Sequence, residues 1–416
     1  MTSRADDERF MARAIEVSLR HQGQTLTNPS VGCVLVNDGK IIAEAVTAIG
    51  GRPHAERQAL EMAGETARGA TAYVTLEPCS HWGKTPPCAN ALVEYGVARV
   101  VVAVNDPDER VSGRGYTILR DAGIVVETGL LRAEGQRALA GYLTRQMKKR
   151  PHVILKLAVS ADGMIGRKGE GQVAITGPEA RHAVHELRAR CDCILVGIGT
   201  AIADDPELTV RIDSLEDRSP VRIVLDRHFE LPLTSKLVKT AREVPVVVAV
   251  AASPPSALPG ISPTRGEIGK GPSARSDTDP VSHSPTFDVG RGGAPSISPL
   301  VGEMPGRAEG GNPELKRQLL TDAGVQILEA PTLENLLHTL ADSGMSELLV
   351  EGGAFAAKSF LEAGLVDRIM LFESPVVIGE GGIETPLCRA DITGDYALVS
   401  ETAYGPDRCF DYERPI

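Results

Sequence analysis

The stretch TLEPCSHWGKTPPC, residues 75–88, holds two of the seven cysteines of the chain, Cys79 and Cys88, with eight residues between them. Upstream, PHAER places His54 and Glu56 two residues apart, where a helix is expected to begin. One imidazole and two thiolates give Zn²⁺ three protein ligands and leave the fourth tetrahedral position open to water. An ion held in this way brings the pKa of its water to about 7, so that a nucleophile is available at neutrality. Glu56, next but one to His54, is an unligated carboxylate placed for proton transfer. His81 lies in the same stretch; as a fourth ligand it would close the site and make it structural.

The elements that must position these residues follow from periodicity. Residues 5–22 read as an amphipathic helix with Phe10, Met11, Ala14, Ile15 and Leu19 on one face and Asp6 or Asp7 as cap. VGCVLV, Asn37-Asp38-Gly39 and KIIAEAV read as a hairpin with a tight turn. Helices near HAERQALEMAG, CANALVEYG and GYTILRDAG then alternate with strands at AYVTL, RVVVAV and IVVETG. Such alternation implies helices packed on a mostly parallel sheet. KKRP at 148–151 reads as a joint, after which a second alternating series begins with HVILKLAVSADG, a helix over 178–190 and CILVGIG. Residues 253–312 break the pattern: they are rich in Pro, Gly and Ser, and ISPTRGEIG is echoed by ISPLVGEMPG. A segment this polar buries too little surface to offset its ordering entropy, so a disordered, repeat-derived surface insertion is expected. Periodicity resumes at PELKRQLLTDAGVQIL, so the insertion divides the second domain in sequence only.

Composition sets the limits. At 416 residues the chain exceeds one ordinary core, and two domains are expected, 1–147 and 148–416. No apolar run approaches the ~20 residues of a membrane span, and MTSRADDERF lacks the apolar core of a signal peptide. A cytoplasmic protein is expected, in which cysteines serve as ligands, nucleophiles or buried apolar groups rather than in disulfides. The formal charge of −11 argues against a nucleic-acid partner. The basic run RQMKKR at 145–150 reads as a solvated helix end leading into the joint.

His-x-Glu followed by Pro-Cys and a further Cys is the layout of the zinc deaminases. NPSVG at 28–32, PHAE at 53–56, EPCSHWGKTPPC at 77–88 and DP at 106–107 resemble the N-terminal half of the bifunctional riboflavin-biosynthesis deaminase/reductase family. The wide cysteine spacing is that family's form. The resemblance implies His54, Cys79 and Cys88 as zinc ligands, Glu56 as proton shuttle, and Asn28, Lys84 and Asp106 as substrate contacts, Lys84 through a phosphate. Thr47 stands where the family often has His, Asp108 where it has Asn, and Glu109 where it often has Pro.

In the second half, LVGIGT and EGG end strands in glycines, which let a phosphate approach backbone N–H groups. On their own these are common turns. LKLAVSADGMIG, ITGPEAR, ILVGIGTAIADDPELTVR, RIVLD and VEGG match the family's reductase half in order. The resemblance implies a cytidine-deaminase-like α/β/α domain followed by a dihydrofolate-reductase-like α/β domain that uses NADPH. Ala158, Ala174, Thr200, Asp204, Arg227 and the stretch from Gly353 would line the NADPH site. Gln172, Arg188, Leu208, Arg211 and Glu351 would face the substrate, with Arg188 and Arg211 as a phosphate clamp. Some family members have Ser-x-Trp where this chain has Gln172-Val173-Ala174.

The resulting expectation is a two-step, homo-oligomeric enzyme acting on a phosphorylated pyrimidine. It would deaminate 2,5-diamino-6-ribosylamino-4(3H)-pyrimidinone 5′-phosphate and then reduce the ribosyl group to ribityl. An enzyme editing nucleic-acid bases and a non-catalytic zinc scaffold are the alternatives. The missing basic stripe opposes the first, and the second requires a fourth protein ligand such as His81.

Overall fold

The computed structural model describes residues 3–82, 86–108, 111–251, 312–392 and 394–415. Lys84, Glu109 and all of the expected insertion except Asn312 lie outside the described residues.

The first domain starts with helix α1 (Arg4–Ser18), strands β1 (Gly32–Asn37) and β2 (Lys40–Val46), and helix α2 (Ala55–Ala63). It continues through β3 (Thr71–Leu76), α3 (Cys88–Glu94), β4 (Arg99–Val104), α4 (Arg114–Asp121) and β5 (Val125–Thr128), and ends in α5 (Arg132–Ala138) and α6 (Ala140–Lys148). The sheet order is β2-β1-β3-β4-β5. β1 pairs antiparallel with both β2 and β3, and the remaining pairs are parallel. Asp38 and Gly39 have φ of 47° and 72°, the left-handed pair that a two-residue hairpin turn requires. The apolar face of α1 is seated as expected, with Phe10, Met11 and Ala14 buried. Its cap is different. Ser3 accepts the Asp6 N–H, while Asp7 is buried, accepting from the Tyr73 hydroxyl and pairing with Arg99 at 2.8 Å.

The second domain holds β6 (His152–Val159), β7 (Met164–Arg167), α7 (Pro178–Arg188), β8 (Cys193–Gly197), α8 (Ile198–Asp204), β9 (Val221–Leu225), α9 (Lys236–Lys239) and β10 (Val246–Ala251). After the undescribed segment come α10 (Pro313–Asp322), β11 (Gln326–Ala330), α11 (Leu333–Asp342), β12 (Glu347–Glu351), α12 (Ala354–Glu362) and β13 (Arg368–Glu373). β14 (Gly382–Glu384), β15 (Ala397–Tyr404) and β16 (Asp407–Glu413) complete it. The large sheet runs β11-β10-β9-β8-β12-β6-β13-β16-β15, and β14 pairs with β7 in a separate ribbon. Pairs from β11 to β13 are parallel, and the β13–β16 and β16–β15 pairs are antiparallel. Alternate residues of β8 enter separate cores on the two faces, Cys193 and Leu195 in one, Ile194 and Val196 in the other. Burial on both faces is why these strands read as continuous apolar runs.

The 145–150 run is not a solvated helix end. Lys148 and Arg150 both pair with Asp367, at the entry to β13, whose side chain is 3% exposed. Arg137 of α5 pairs with Glu413 of β16 at 2.9 Å. The joint between the domains is therefore clasped by ion pairs, because a buried carboxylate needs cations and the basic run supplies them.

Candidate active sites

Three elements converge on the zinc ligand set. His54 is the extended residue preceding α2, Cys79 follows β3, and Cys88 opens α3. His54 Nδ1 lies 3.6 Å from Cys79 Sγ and 3.4 Å from Cys88 Sγ. All three donor atoms fall within 4.8 Å of one another. A tetrahedral zinc with ordinary Zn–N and Zn–S bonds separates nitrogen from sulfur by about 3.5 Å, so the donor set fits this metal. The Cys88 N–H donates to Cys79 Sγ at 3.3 Å. The Cys88 thiol and His54 push the Cys79 pKa down to about 4, which favours the thiolate that a metal needs. Among the described residues, His81 does not join this cluster.

Glu56 sits in the first turn of α2, 3% exposed. Burial pushes its carboxyl above the ordinary range, with His54 pulling the other way. Glu77 is equally buried, against the start of α4, where a Cβ on Gly115 would lie 3.3 Å from its Oε1. Asp106, just past β4, is fixed by the Tyr142 hydroxyl at 2.9 Å and by the Asp108 N–H at 2.9 Å. The Asn28 side chain abuts the turn before His54: a Cβ on Gly51 would fall 2.4 Å from its Nδ2. Thr47 is buried, and its hydroxyl accepts the Val31 N–H at 3.0 Å while its carbonyl accepts from His21 Nδ1 at 2.7 Å. Thr47 therefore ties β1 to the end of β2.

In the second domain, eleven residues singled out by the sequence line one cavity of about 1070 Å³. They are Ala158, Gln172, Ala174, Arg188, Thr200, Asp204, Leu208, Arg211, Arg227, Glu351 and Gly353. The cavity opens at the carboxyl ends of β6, β8, β9 and β12, where open α/β sheets place their ligands. Gly352 and Gly353 have φ of 71° and 78°, and a Cβ on Gly353 would lie 2.5 Å from Thr200 Oγ1. Backbone alone can occupy this approach, as a phosphate-cradling turn requires. Its N–H groups and the cavity arginines suit a phosphorylated dinucleotide.

The two arginines are not arranged as an open clamp. Nε and Nη2 of Arg188 donate to the two Glu351 carboxylate oxygens, at 2.7 and 2.8 Å, and Nη1 donates to Thr209 O at 3.2 Å. Arg211 is more exposed and pairs with Glu207 at 3.0 Å. Two lining residues carry chemistry that spacing did not reveal. The Lys156 ammonium, 5.6 Å over the Phe372 ring, has its pKa lowered by burial, against the pull of Glu351. His185 Nδ1 accepts the Arg211 N–H at 3.2 Å, and burial with Arg188 and Arg211 brings its pKa down to about 4. A lone lysine inside the apolar strand ILKLAV was the available signal for the first.

Fold and sites together define a zinc-dependent deaminase joined to a pyridine-nucleotide reductase. Residues 4–104 match the family of the cytidine and deoxycytidylate deaminase zinc-binding region, and residues 151–259 and 308–410 match the RibD C-terminal domain. The riboflavin biosynthesis protein RibD of Aquifex aeolicus is 35% identical over 377 residues, 90% of this chain and 88% of that protein. The solved RibD of Acinetobacter baumannii superposes with a TM-score of 0.75 at 31% identity, covering 100% of both chains. A Thermotoga maritima structure described as a diaminohydroxyphosphoribosylaminopyrimidine deaminase/5-amino-6-(5-phosphoribosylamino)uracil reductase gives 0.75 at 29%, covering 99% of both. The chain belongs to the RibD family of bifunctional deaminase/reductases in riboflavin biosynthesis.

Proposed function

We propose that residues 1–147 deaminate 2,5-diamino-6-ribosylamino-4(3H)-pyrimidinone 5′-phosphate at C2, and that residues 148–416 then reduce the product's ribosyl group to ribityl. The observation that carries the first step is the three-donor cluster with a buried carboxylate two residues from its histidine. His54, Cys79 and Cys88 would hold zinc, which, when bound, supplies a Lewis acid that makes water nucleophilic near neutrality. Glu56 takes one proton from the attacking water and delivers it to the ring nitrogen as the C–O bond forms, then carries the remaining hydroxyl proton to the amine, which leaves as ammonia when the C–N bond breaks. Burial raises its pKa above the ordinary carboxyl range, the direction that favours a group that carries a proton. Asp106, held by Tyr142, and Asn28 orient the ring, and Lys84 takes the phosphate.

For the second step, Ala158, Ala174, Thr200, Asp204, Arg227 and Gly353 hold NADPH, which supplies the hydride that C1′ of the ribosyl group receives. Gln172, Leu208, Arg211 and Glu351 face the sugar. Arg188 keeps Glu351 ionised and in place rather than serving as a free clamp. Lys156, a buried ammonium beside Glu351, donates the proton to the ring oxygen as the ribose opens. We also place the enzyme in the cytoplasm as a homo-oligomer; the solvent-facing edge strand β15 offers unpaired backbone for a second copy.

The test is incubation of zinc-loaded protein with the diaminopyrimidinone phosphate, with and without NADPH. Ammonia is expected in both cases, and NADPH oxidation only after deamination. Absence of ammonia in both overturns the reading.

A further inference from the structure

Arg145, near the end of α6, is 8% exposed although it lies in the basic run before the joint. One terminal nitrogen donates to the Gly344 carbonyl at 2.7 Å and the other to the Thr27 carbonyl. The two acceptors belong to different domains. Gly344 closes the turn between α11 and β12 in the second domain, and Thr27 directly precedes Asn28 in the first. The planar guanidinium fork suits this bridge, since it aims separate N–H groups at two fixed oxygens, which a lysine cannot reproduce.

The strap bearing Asn28 is confined between the domains. The Asn28 N–H donates to Thr25 O at 3.1 Å, and the Thr25 hydroxyl donates to Asn28 O at 2.7 Å. On one side the Asn28 side chain meets Gly51, in the turn before His54. On the other, a Cβ at Gly344 (φ 90°) would lie 2.9 Å from Thr27 Cγ2. One turn earlier on α6, a Cβ at Gly141 would come within 2.6 Å of Glu347 Cγ. A small cavity beside the strap is lined from both domains, by Asn28 and Tyr142 on one side and Asp192 and Glu347 on the other.

We propose that Arg145 is a positioning residue through which the docked reductase domain fixes the Asn28 strap of the deaminase site. The proposal rests on the reading of Asn28 as a substrate contact. Its consequence is that deamination depends on contacts made by the second domain, whereas NADPH chemistry does not depend on Arg145.

The test uses full-length, zinc-loaded enzyme and follows ammonia release and NADPH oxidation separately, the latter with the deaminated pyrimidine. Arg145→Met is expected to raise the KM for the diaminopyrimidinone phosphate about tenfold, since a charge-assisted bond to the strap is lost. The kcat, zinc content and NADPH oxidation should stay within about twofold. Arg145→Lys should recover part of the KM. Gly344→Ala, in the reductase domain, should produce the same split by pushing Thr27. The double variant Asn28→Ala with Arg145→Met should lose no more than Asn28→Ala alone. An unchanged KM in Arg145→Met, with Asn28→Ala impaired, overturns the proposal alone. An unimpaired Asn28→Ala overturns the reading of Asn28, and the proposal with it. An equal fall of both activities would mean that Arg145 serves general folding, and overturns it too.

Discussion

At the start of α2 the proposed mechanism gives His54 and Glu56 different tasks. The His54 ring turns Nδ1 toward two sulfurs at 3.4 and 3.6 Å, while the Glu56 carboxyl is buried and outside the donor set. Glu56→Gln keeps the shape and removes the proposed proton carrier. It is expected to retain zinc by metal analysis and to lose deamination by about 10²–10⁴-fold, with NADPH oxidation on the deaminated pyrimidine unchanged. Retained ammonia release in this variant would remove Glu56 from its role. These residues were legible in the sequence because metal chemistry admits few residue types, and their types and spacing survive without knowledge of the fold. The pairing of Arg188 was not, since its side chain reads as a free cation until the chain brings Glu351 against it from 163 positions away. Lys156 was missed for a related reason: its neighbours Leu155 and Leu157 mark a core strand, and periodicity alone says nothing of a cavity at that strand's end.

At the scale of elements, the proposed reading puts function at the ends of strands, and burial puts stability at their beginnings. The turn after β12 is an example of the first. Gly353→Ala places a Cβ 2.5 Å from Thr200 Oγ1 at a φ of 78°, so the turn must move or Thr200 must. The KM for NADPH is expected to rise about tenfold, the scale of such backbone strain, while ammonia release stays as in the parent. The beginning of β6 is an example of the second. His152 is 5% exposed, and its pKa is lowered to about 4, by burial above all. Its folded pKa lies below the unfolded value of about 6.5, so between those two pH values the unfolded chain binds a proton that the folded chain does not. Stability therefore falls as pH drops from about 6.5 to 4, by about 3 kcal/mol from this residue. His152→Leu should flatten that slope in denaturant titrations of the second domain; an unchanged slope would exclude His152 as its source. Most strands were readable because both faces are buried, or because a turn such as Asp38-Gly39 punctuates them. The β15–β16 hairpin was not read from the sequence: β15 is exposed along most of its length and has no apolar alternation to show.

For the whole molecule, the remaining question is how a reductase fold accommodates the roughly sixty residues between β10 and α10. β10 and β11 pair in parallel register from Val247–Gln326 to Ala251–Ala330, and Asn312 caps α10 through the Glu314 N–H. The strand–helix–strand unit is thus complete on both sides of the undescribed segment. The family's reductase domain matches up to residue 259 and again from 308, so what lies between is not shared with it. The cavity is lined from the ends of β6, β8, β9 and β12, and among the described residues neither β10 nor β11 lines it. β11 is moreover the edge of the sheet, four strands from β12 in the sheet order. Replacing residues 253–311 by a Gly/Ser link of about six residues, a usual length for a strand-to-helix connection, should leave both rates within about twofold. Shortening the loop about tenfold also lowers its closure entropy, which should stabilise the second domain by about 2 kcal/mol and raise its melting temperature. Parallel assays of ammonia release and NADPH oxidation, with thermal melts of both proteins, test this directly. A loss of NADPH oxidation alone would show that the segment reaches the reductase cavity, and a lowered melting temperature would show that it packs on the sheet edge.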